Sequence, residues 1–298
     1  MASLSNKVLI TGINGFTGIY LKKYLENKDF EVFGISNHLE NENSKILKCD
    51  ITNKEEVFKV FSAIQPNYIF HFAAISFVQH HNIHEIYNSN VIGTQNILDA
   101  CSACEEPIKK IILASSASVY GNITDAILSE NSCPNPVNHY GISKLAMEHL
   151  AKTYFQKLPI IITRPFNYTA PGHGEQFVVP KIAKAFNTKE KVLELGNLNV
   201  FREYNSIDFV CEVYFKLMNS KAKSEIVNIA SGTTHSLQEI ISLFEKESKH
   251  SLKIQINPAF VRKNEIKKLA GDVTKLNKMI DLSFKHSIND VIKSFLNK

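Results

Sequence analysis

The sequence predicts an α/β protein built on a doubly wound parallel sheet, and three observations support this prediction. Over the first two-thirds of the chain, short apolar runs alternate with segments of helical periodicity. The runs are apolar throughout, as in parallel strands that helices cover on both faces. The first run, Lys7–Thr11, leads into a glycine-rich turn and then into a helix. Right-handed crossovers between such strands produce the doubly wound arrangement.

The same alternation predicts the other elements of this part of the chain. Apolar runs predict further strands at residues 31–35, 44–49, 68–72, 110–114 and 159–163. Helical periodicity predicts a helix after the glycine turn, to about residue 27, and further helices at residues 54–64, 86–104 and 140–156.

A smaller part of the chain is predicted after residue 165. Two prolines and two glycines lie within residues 165–174, and the helices predicted beyond them include 178–187, 236–249 and 287–296. We expect a dinucleotide-binding domain in residues 1–165, to which a late strand and helix from about 204–230 return. Residues 166–203 and 231–298 would form a smaller C-terminal substrate-binding lobe.

Composition limits the possible locations and partners of the protein. The net charge is +5, from 34 basic and 29 acidic residues, and the lysines are scattered. A solvated surface explains this about as well as nucleic acid binding does, and we expect no nucleic acid partner. No apolar run approaches the roughly 20 residues that a membrane span needs, and the N-terminus lacks the layout of a signal peptide. We therefore expect a cytoplasmic protein without a membrane partner.

The cysteines and histidines indicate neither a disulfide framework nor a metal site. The five cysteines are an odd number at irregular spacing, which argues against paired disulfides. His80 and His84 are one helical turn apart, but the sequence identifies no carboxylate or thiolate partner for them. We expect no metal.

The glycine-rich turn after the first strand predicts a dinucleotide site of Rossmann type. Its glycines, Gly12, Gly15 and Gly18, lie between an apolar strand and an amphipathic helix. Glycines here let the backbone turn tightly and approach a pyrophosphate, whose charge is stabilised at the helix N-terminus. We expect the cofactor to contact this turn through Gly12, Gly15, Phe16, Thr17 and Gly18.

The end of the second strand favours NADP over NAD as the cofactor. NAD sites usually carry Asp or Glu there to bind the ribose hydroxyls, whereas this chain has residues 34–38 without an acid. A 2′-phosphate would meet no carboxylate, although no arginine is present either. We expect Ser36 and Asn37 beside this part of the cofactor, and Asp50 and Ile51 near the adenine.

Tyr140 and Lys144 form a pair suited to acid–base chemistry. Their spacing places both side chains on one face of a helix, one turn apart. An ammonium beside a phenol favours the phenolate and so lowers the tyrosine pKa from about 10. Tyr140 then becomes a usable acid or base near neutral pH. A serine-rich run, residues 115–121, follows the fifth strand, and a hydroxyl there could hydrogen-bond the reacting oxygen.

Further motifs occur in order along the chain. They are His71-Phe72-Ala73-Ala74, Asn90-Val91-x-Gly93-Thr94, Ser115-Ser116-Ala117-Ser118-Val119-Tyr120-Gly121 and Arg164-Pro165-Phe166-Asn167. With the glycine turn and the Tyr140–Lys144 pair, they resemble the extended short-chain dehydrogenases/reductases. More narrowly, the chain resembles the NAD-dependent epimerase/dehydratase family that acts on nucleotide sugars, and its motifs are most similar to those of GDP-4-keto-6-deoxy-D-mannose reductases.

The resemblance implies roles for individual residues. It implies that Ser116, Tyr140 and Lys144 are catalytic. It also implies that the cofactor contacts Phe72, Ala73, Ala74, Tyr140, Lys144 and Phe166. The sugar nucleotide would be bound by Ser76, Ser118, Asn167, Val178, Lys181, Arg202, Arg262 and Glu265.

Three reactions are associated with this family: 4-epimerisation, 4,6-dehydration and reduction of a 4-keto sugar. Dehydratases carry a further acid and base directly after the catalytic hydroxyl, where this chain has Ala117 and Ser118, which cannot transfer that proton efficiently. Residues 164–181 and 196–204 resemble the GDP-4-keto-6-deoxy-mannose reductases. We therefore expect an NAD(P)H-dependent reductase of a nucleotide-linked 4-keto sugar, preferably a GDP-sugar, with hydride transfer to C4 and Tyr140 as proton donor. A 4-epimerase with tightly held NAD remains the alternative, ahead of a dehydratase or a non-catalytic NADPH-binding protein.

Two further expectations follow from the resemblance. The family usually has Asp where this chain has Glu203. The loop around His80–His84 also departs from the family pattern, and because this loop borders the sugar in relatives, the identity of the sugar stays open. The helices predicted at residues 86–104 and 140–156 resemble those that pair in the dimers of relatives, so we expect a homodimer.

Overall fold

The fold consists of parallel strands joined by helices. A computed structural model describes residues 6–38, 44–76, 80–123, 127–261, 267–282 and 287–296 of the chain. Within these ranges the strands are, in chain order, β1 (Lys7–Thr11), β2 (Glu31–Ser36), β3 (Ile46–Lys48), β4 (Tyr68–His71), β5 (Lys110–Ala114), β6 (Ile127–Leu128), β7 (Ile160–Pro165), β8 (Tyr168–Thr169), β9 (Val192–Leu195), β10 (Phe201–Arg202), β11 (Asn205–Ser206), β12 (Glu225–Ile229), β13 (His235–Ser236), β14 (Lys253–Ile256) and β15 (Lys268–Gly271).

Most of the helices lie between strands of the main sheet or follow its last strand. In chain order they are α1 (Phe16–Glu26), α2 (Lys54–Ile64), α3 (Ile83–Tyr87), α4 (Thr94–Ser102), α5 (His139–Lys152), α6 (Val178–Asn187), α7 (Ile207–Asn219), α8 (Leu237–Ser248), α9 (Thr274–Met279) and α10 (Ile288–Leu296). A π-helical turn, Asn88–Gly93, joins α3 to α4, and a 3₁₀ turn, Ala117–Val119, follows β5.

The main sheet has seven strands in the order β3-β2-β1-β4-β5-β7-β12. Every neighbouring pair in it is parallel. Leu9 of β1, for example, lies between Phe33 of β2 and Ile69 of β4. The predicted doubly wound parallel sheet is confirmed. From β1 the chain adds β2 and β3 on one side, and it then returns to the other side of β1 with β4. In parallel sheets with such a reversal of strand order, ligands bind in the crevice at the carboxyl ends of the two strands where the order reverses.

Buried apolar side chains fill both faces of the main sheet. One face packs on α1 and α7, through residues such as Leu21, Leu25, Val210 and Val213. The other packs on α2, α4 and α5, through residues such as Val57, Phe61, Leu98 and Met147. Both faces are covered by helices, which explains why the strands are continuous apolar runs rather than alternating ones.

A separate core lies between α6, α8 and α10. Its buried side chains include Ile182, Phe186, Ile240, Phe244 and Ile292. The neighbouring small sheet has the order β13-β10-β15-β6. These elements supply much of the expected C-terminal lobe, while α7 and β12 join the main sheet; the boundaries given above for the two domains stay a prediction.

The helix predicted at residues 86–104 differs in the structure. Helical structure begins at Ile83, widens into the π-helical turn and ends at Ser102. The widened turn directs the side chain of Asn90 inward, where it donates to Ser143 Oγ at 3.0 Å and accepts from the backbone N–H of Ile75 at 2.8 Å. Helical periodicity in the sequence does not indicate these tertiary contacts. Such π-helical turns occur frequently at functional sites.

Gly121 is held in a conformation that another residue would disturb. It has φ of 62°, and an added Cβ would lie 1.7 Å from the carbonyl oxygen of Asn135. We expect Gly121→Ala to lower the free energy of unfolding by about 3 kcal/mol, since left-handed strain adds to a clash with backbone. Urea unfolding measures this loss.

Gly172 provides the matched control. Its φ is 86°, but no atom lies within 4 Å of the added Cβ. Gly172→Ala should therefore cost only about 1 kcal/mol, from backbone strain alone. Equal losses in the two variants would contradict the packing around Gly121.

Candidate active site

The glycine turn adopts the shape that a dinucleotide site requires. Gly12 has φ of 68°, and a Cβ on it would lie 2.8 Å from the backbone nitrogen of Ala73. Gly15 caps α1 without a side-chain hydrogen bond, and the first turn of this helix carries no acidic residue. Its free N–H groups can therefore receive an anion. Close packing of this turn on the backbone of Ala73 leaves no room for a side chain at Gly12. Contact of a cofactor with Gly12, Gly15, Phe16, Thr17 and Gly18 stays a prediction.

Aromatic side chains join this turn to the segment before α6. The ring of His173 stacks on Phe16 at 4.2 Å between centroids and on Phe177 at 3.9 Å. The hydroxyls of Thr17 and Tyr168 lie 2.7 Å apart. The N-terminus of α1 thus contacts the residues that lead into the expected substrate lobe. The predicted substrate residue Val178 is the first residue of α6.

At the end of β2, the polar groups bond to one another. Ser36 Oγ donates to the carbonyl oxygen of His38 at 2.8 Å, and Asn37 is exposed. Asp50 accepts from the N–H and the hydroxyl of Thr52, while Ile51 is buried. No carboxylate occurs on residues 34–38. Contact of these residues with a cofactor stays a prediction.

The structure brings the three predicted catalytic residues together beyond the end of β5. Asn138 caps α5 by accepting from the N–H of Gly141 at 2.8 Å. One helical turn apart, Tyr140 is hydrogen-bonded to the side chain of Ser116, and Lys144 Nζ donates to the carbonyl oxygen of Ala114 at 2.7 Å. A phenol, a hydroxyl and an ammonium therefore share the carboxyl edge of the sheet.

The electrostatics of this set differ from the simple pair expected from sequence. Burial raises the pKa of Tyr140, and the hydrogen bond to Ser116 opposes this. Burial also lowers the pKa of Lys144 to about 8, against the attraction of the Glu148 carboxylate. The expected depression of the Tyr140 pKa is therefore wrong for this structure, because burial is the larger effect. Tyr140 is a protonated phenol at neutral pH, which is the state that a proton donor needs.

His71 joins β1 to β4 through a chain of hydrogen bonds whose direction is fixed. The Thr94 hydroxyl donates to the carbonyl oxygen of Asn90 at 2.8 Å, so it accepts from His71 Nε2, also at 2.8 Å. His71 Nδ1 then accepts from the Thr11 hydroxyl at 2.7 Å, and Thr11 Oγ1 accepts from the N–H of Ala73 at 3.0 Å. Burial and the nearby Lys144 lower the pKa of this histidine to about 3.

The predicted cofactor residues that follow β4 and β7 lie near the same edge. Phe72 packs its ring on Tyr214, with centroids 5.1 Å apart, and Ala73 and Ala74 are partly buried. Phe166 is buried, its ring 6.2 Å from that of Tyr120. The two phenylalanines are therefore engaged in packing, and their contact with a cofactor stays a prediction.

The predicted substrate residues are spread more widely. The N–H of Ser118 donates to Ser116 Oγ at 3.0 Å, which places Ser118 beside the catalytic set. Ser76 and Asn167 are exposed. Lys181 Nζ instead donates to the carbonyl oxygen of Glu194 at 2.8 Å, and Arg202 donates to that of Phe201, also at 2.8 Å. Arg262 and Glu265 lie outside the described residues.

Two buried carboxylates were not recognised as important from the sequence. Glu148 forms an ion pair with Arg164, with Oε2 2.6 Å from Nη2. Glu203 accepts from the N–H groups of Gly271 and Ser231, both at 2.7 Å, and so joins β10 to β15. The only sequence signal for Glu148 is its position one turn beyond Lys144. Glu203 stands out in the sequence only as a departure from a family pattern.

The described residues contain no disulfide, no metal-binding cluster and no membrane-spanning helix. All five cysteines are free. Within the described ranges no group of three or more His, Cys, Asp or Glu could hold a metal ion. No helix of the described chain is long and apolar enough to cross a membrane.

The fold and the Ser–Tyr–Lys set together define the short-chain dehydrogenase/reductase class. A family model described as GDP-mannose 4,6 dehydratase matches residues 9–295. GDP-6-deoxy-D-talose 4-dehydrogenase of Aggregatibacter actinomycetemcomitans is 36% identical over 273 residues, which cover 91% of this chain and 90% of that relative. GDP-6-deoxy-D-mannose reductase of Pseudomonas aeruginosa is 24% identical, over 92% of this chain and 90% of its own. The chain belongs to the GDP-mannose 4,6 dehydratase family.

Solved structures agree with this fold. UDP-glucose 4-epimerase from Thermotoga maritima, with UDP-glucose, superposes with a TM-score of 0.89 at 23% identity, over 98% of this chain and 97% of its own. RMD from Pseudomonas aeruginosa, complexed with NADPH, gives 0.85 at 22% identity, over 98% of both chains. The predicted family and the predicted NAD(P)-dependent enzyme class are confirmed.

The buried neutral His71 makes stability depend on pH. Its folded-state pKa of about 3 lies below its ordinary value, so acidification protonates the unfolded chain first and stability is lost as pH falls below about 6.5. Between about pH 7 and about pH 5, this histidine should account for a loss of about 2 kcal/mol. Urea unfolding of wild type and His71→Gln at both pH values measures it, since the variant lacks this contribution. Equal pH dependence in the two proteins would contradict the assignment.

Proposed function

We propose that the protein is an NAD(P)-dependent oxidoreductase that interconverts the C4 carbonyl and the C4 hydroxyl of a GDP-linked 6-deoxyhexose. The observation that carries this proposal is the 36% identity, over 91% of the chain, to GDP-6-deoxy-D-talose 4-dehydrogenase. The names of that relative and of GDP-6-deoxy-D-mannose reductase share the base and the 6-deoxyhexose. Their sugars differ in configuration at C4, so a C4 ketone is common to both.

In the reducing direction, the residues of this chain handle the proton. The nicotinamide cofactor, when bound, supplies the hydride. Tyr140 donates its phenolic proton to the C4 oxygen as negative charge develops there. Ser116 accepts from the N–H of Ser118 at 3.0 Å, which leaves its own hydrogen free for the C4 oxygen or for Tyr140. Lys144, held by the Ala114 carbonyl, stabilises the phenolate that remains.

The residues after Ser116 favour this single step over dehydration. A 4,6-elimination needs a further acid and base at the sugar, whereas the 3₁₀ turn carries Ala117 and Ser118. Neither side chain exchanges protons efficiently near neutral pH. The lack of a carboxylate at Ser36, Asn37 and His38 favours NADPH as reductant, because a 2′-phosphate meets no repulsion from these side chains.

We retain the homodimer and the cytoplasmic location as predictions. Exposed isoleucines support an interface on the α3–α4 and α5 side: Ile83, Ile92 and Ile142 are 42%, 44% and 40% exposed. We also propose that the guanidinium of Arg202 binds the diphosphate and that Arg262 and Glu265 are further substrate ligands.

A substrate panel tests the proposed activity. The purified protein is offered GDP-6-deoxy-D-talose and GDP-6-deoxy-D-mannose with NADP⁺ or NAD⁺, and the 4-keto sugar with NADPH or NADH. We expect reduction of the ketone, which the loss of absorbance of the reduced nicotinamide measures. NADPH should be preferred over NADH roughly tenfold, because residues 34–38 carry no carboxylate that would repel its 2′-phosphate. Exchange of C4 epimers without a net absorbance change would make the protein an epimerase. Turnover of UDP- or dTDP-sugars alone would contradict the GDP assignment.

Tyr140→Phe tests the proton donor. The variant keeps the ring and removes the proton, so kcat should fall by about 10²–10⁴-fold. The dissociation constant of NADPH, measured by fluorescence titration, should change little. Tyr154→Phe is the control, because that hydroxyl bonds Asp99 on the far part of the molecule, at 2.7 Å, and it should keep wild-type turnover. Near-wild-type kcat in Tyr140→Phe would exclude the assigned role.

A further inference from the structure

Glu148 lies on the same face of α5 as the proposed catalytic pair. Tyr140, Lys144 and Glu148 follow one another at intervals of four residues, one helical turn each. The Glu148 side chain is fully buried. Its Oε1 accepts from Ser115 Oγ at 2.6 Å and from Arg164 Nε at 2.9 Å, and its Oε2 accepts from Arg164 Nη2 at 2.6 Å. Both carboxylate oxygens are therefore engaged.

These bonds join three separate segments of the active site. Ser115 directly precedes Ser116 at the end of β5. Arg164 lies near the end of β7, just before Phe166 and Asn167, and its guanidinium packs on the Tyr120 ring at 4.8 Å from the centroid. Glu148 itself belongs to the helix that carries the phenol and the ammonium. One carboxylate thus fixes the relative positions of all three segments.

Glu148 is also the anion beside Lys144. The ammonium donates to the carbonyl oxygen of Ala114 on β5. Among the described residues, the phenol of Tyr140 lies one turn away on the same helix, and the neutral His71 on β4 interacts with the ammonium electrostatically. Burial opposes the charge of Lys144, and the attraction of Glu148 favours it. The Arg164 guanidinium on β7 donates to the Glu148 carboxylate through Nε and Nη2, whereas its Nη1 is buried without a hydrogen-bond partner.

We propose that Glu148 is a positioning residue for the proposed reaction, which aligns Ser116 with Tyr140 through Ser115 and keeps Lys144 in its charged form. The carboxylate has no route to the sugar, because it is fully buried beneath its partners. It acts instead on the two groups that touch the reacting oxygen. The activity part of the proposal rests on the proposed function; the charge of Lys144 does not.

The first test measures the charge of Lys144 without turnover. Lysine labelled with ¹³C at Cε is titrated by NMR in wild type and Glu148→Gln, and Lys144→Met assigns the signal. We expect the Lys144 signal to titrate at a pH lower by about half a unit or more in Glu148→Gln, because the compensating charge is gone. An unchanged titration midpoint would overturn the electrostatic role.

The second test uses the reductase assay. Glu148→Gln should lower kcat by about tenfold or more while KM changes little, since Ser116 and Tyr140 lose alignment but the substrate pocket does not. The alkaline limb of the kcat profile should move to lower pH with the NMR midpoint. Glu148→Asp restores the charge and should return that limb to its wild-type position. A kcat and pH profile equal to those of wild type would overturn the positioning role.

Two further variants separate this role from general destabilisation. Asp99→Asn removes a partly exposed carboxylate that accepts from Lys54 and Tyr154, and it should leave the Lys144 midpoint unchanged. Glu148→Met combined with Arg164→Met removes both charges together, an exchange that buried pairs often tolerate in folding; it should still lower the Lys144 midpoint. Absence of turnover in wild type would contradict the proposed function, whereas the NMR result would still decide the state of Lys144.

Discussion

The placement of β1 between β2 and β4 is the constraint on which the rest of the structure depends. Because the three strands are parallel, their carboxyl ends lie at one edge of the sheet, and because the strand order reverses there, the helices that follow lie on opposite faces. In sheets of this topology, ligands bind at this edge. The glycine turn after β1, the residues after β4 and the serine-rich turn after β5 all meet at this edge.

The polar interior of the site is organised around two buried carboxylates, Glu148 and Glu203, whose oxygens accept hydrogen bonds. A buried polar group is tolerated when its hydrogen bonds are satisfied and costly when they are not. The ion pair between Glu148 and Arg164 and the bonds of Glu203 meet this condition for their carboxylates. Each joins backbone segments that are distant in sequence. The site is therefore stabilised by ion pairing and hydrogen bonds as well as by apolar packing. A substitution that moves one of these segments also alters the hydrogen bonds of the segments joined to it.

Much of the fold could be predicted from the sequence, because it rests on local signals. The bounds of β1, β5 and α2 coincide with the apolar runs and helical periods that predicted them. The first helix begins at Phe16, within the glycine turn, whereas its periodicity predicts a start after the turn. The π-helical turn could not be predicted, because it goes with hydrogen bonds of Asn90 with Ser143 and Ile75, which lie in other segments of the chain.

The site was predictable to a similar extent. Spacing alone places Tyr140 and Lys144 on one helix face, and the sheet topology brings Ser116 to them. The balance of charge could not be foreseen: burial, and not the neighbouring ammonium, decides the pKa of Tyr140. Glu148 and His71 act through partners 16 to 60 positions away in the chain, and no local pattern records such pairs. The order of the motifs along the chain carries the family resemblance, whereas the contacts between those motifs are seen only in the folded structure.

The hydrogen-bond chain through His71 has a consequence for proton movement. Imidazole is the side chain that most readily exchanges protons near neutral pH, and this one lies within electrostatic range of Lys144. Here, however, one ring nitrogen is committed as a donor and the other as an acceptor, and both partners have their own bonds to backbone. The ring is thus insulated from the neighbouring acid–base groups. His71 therefore serves as a fixed dipole that joins β1, β4 and α4, and its hydrogen bonds assign it no part in proton transfer.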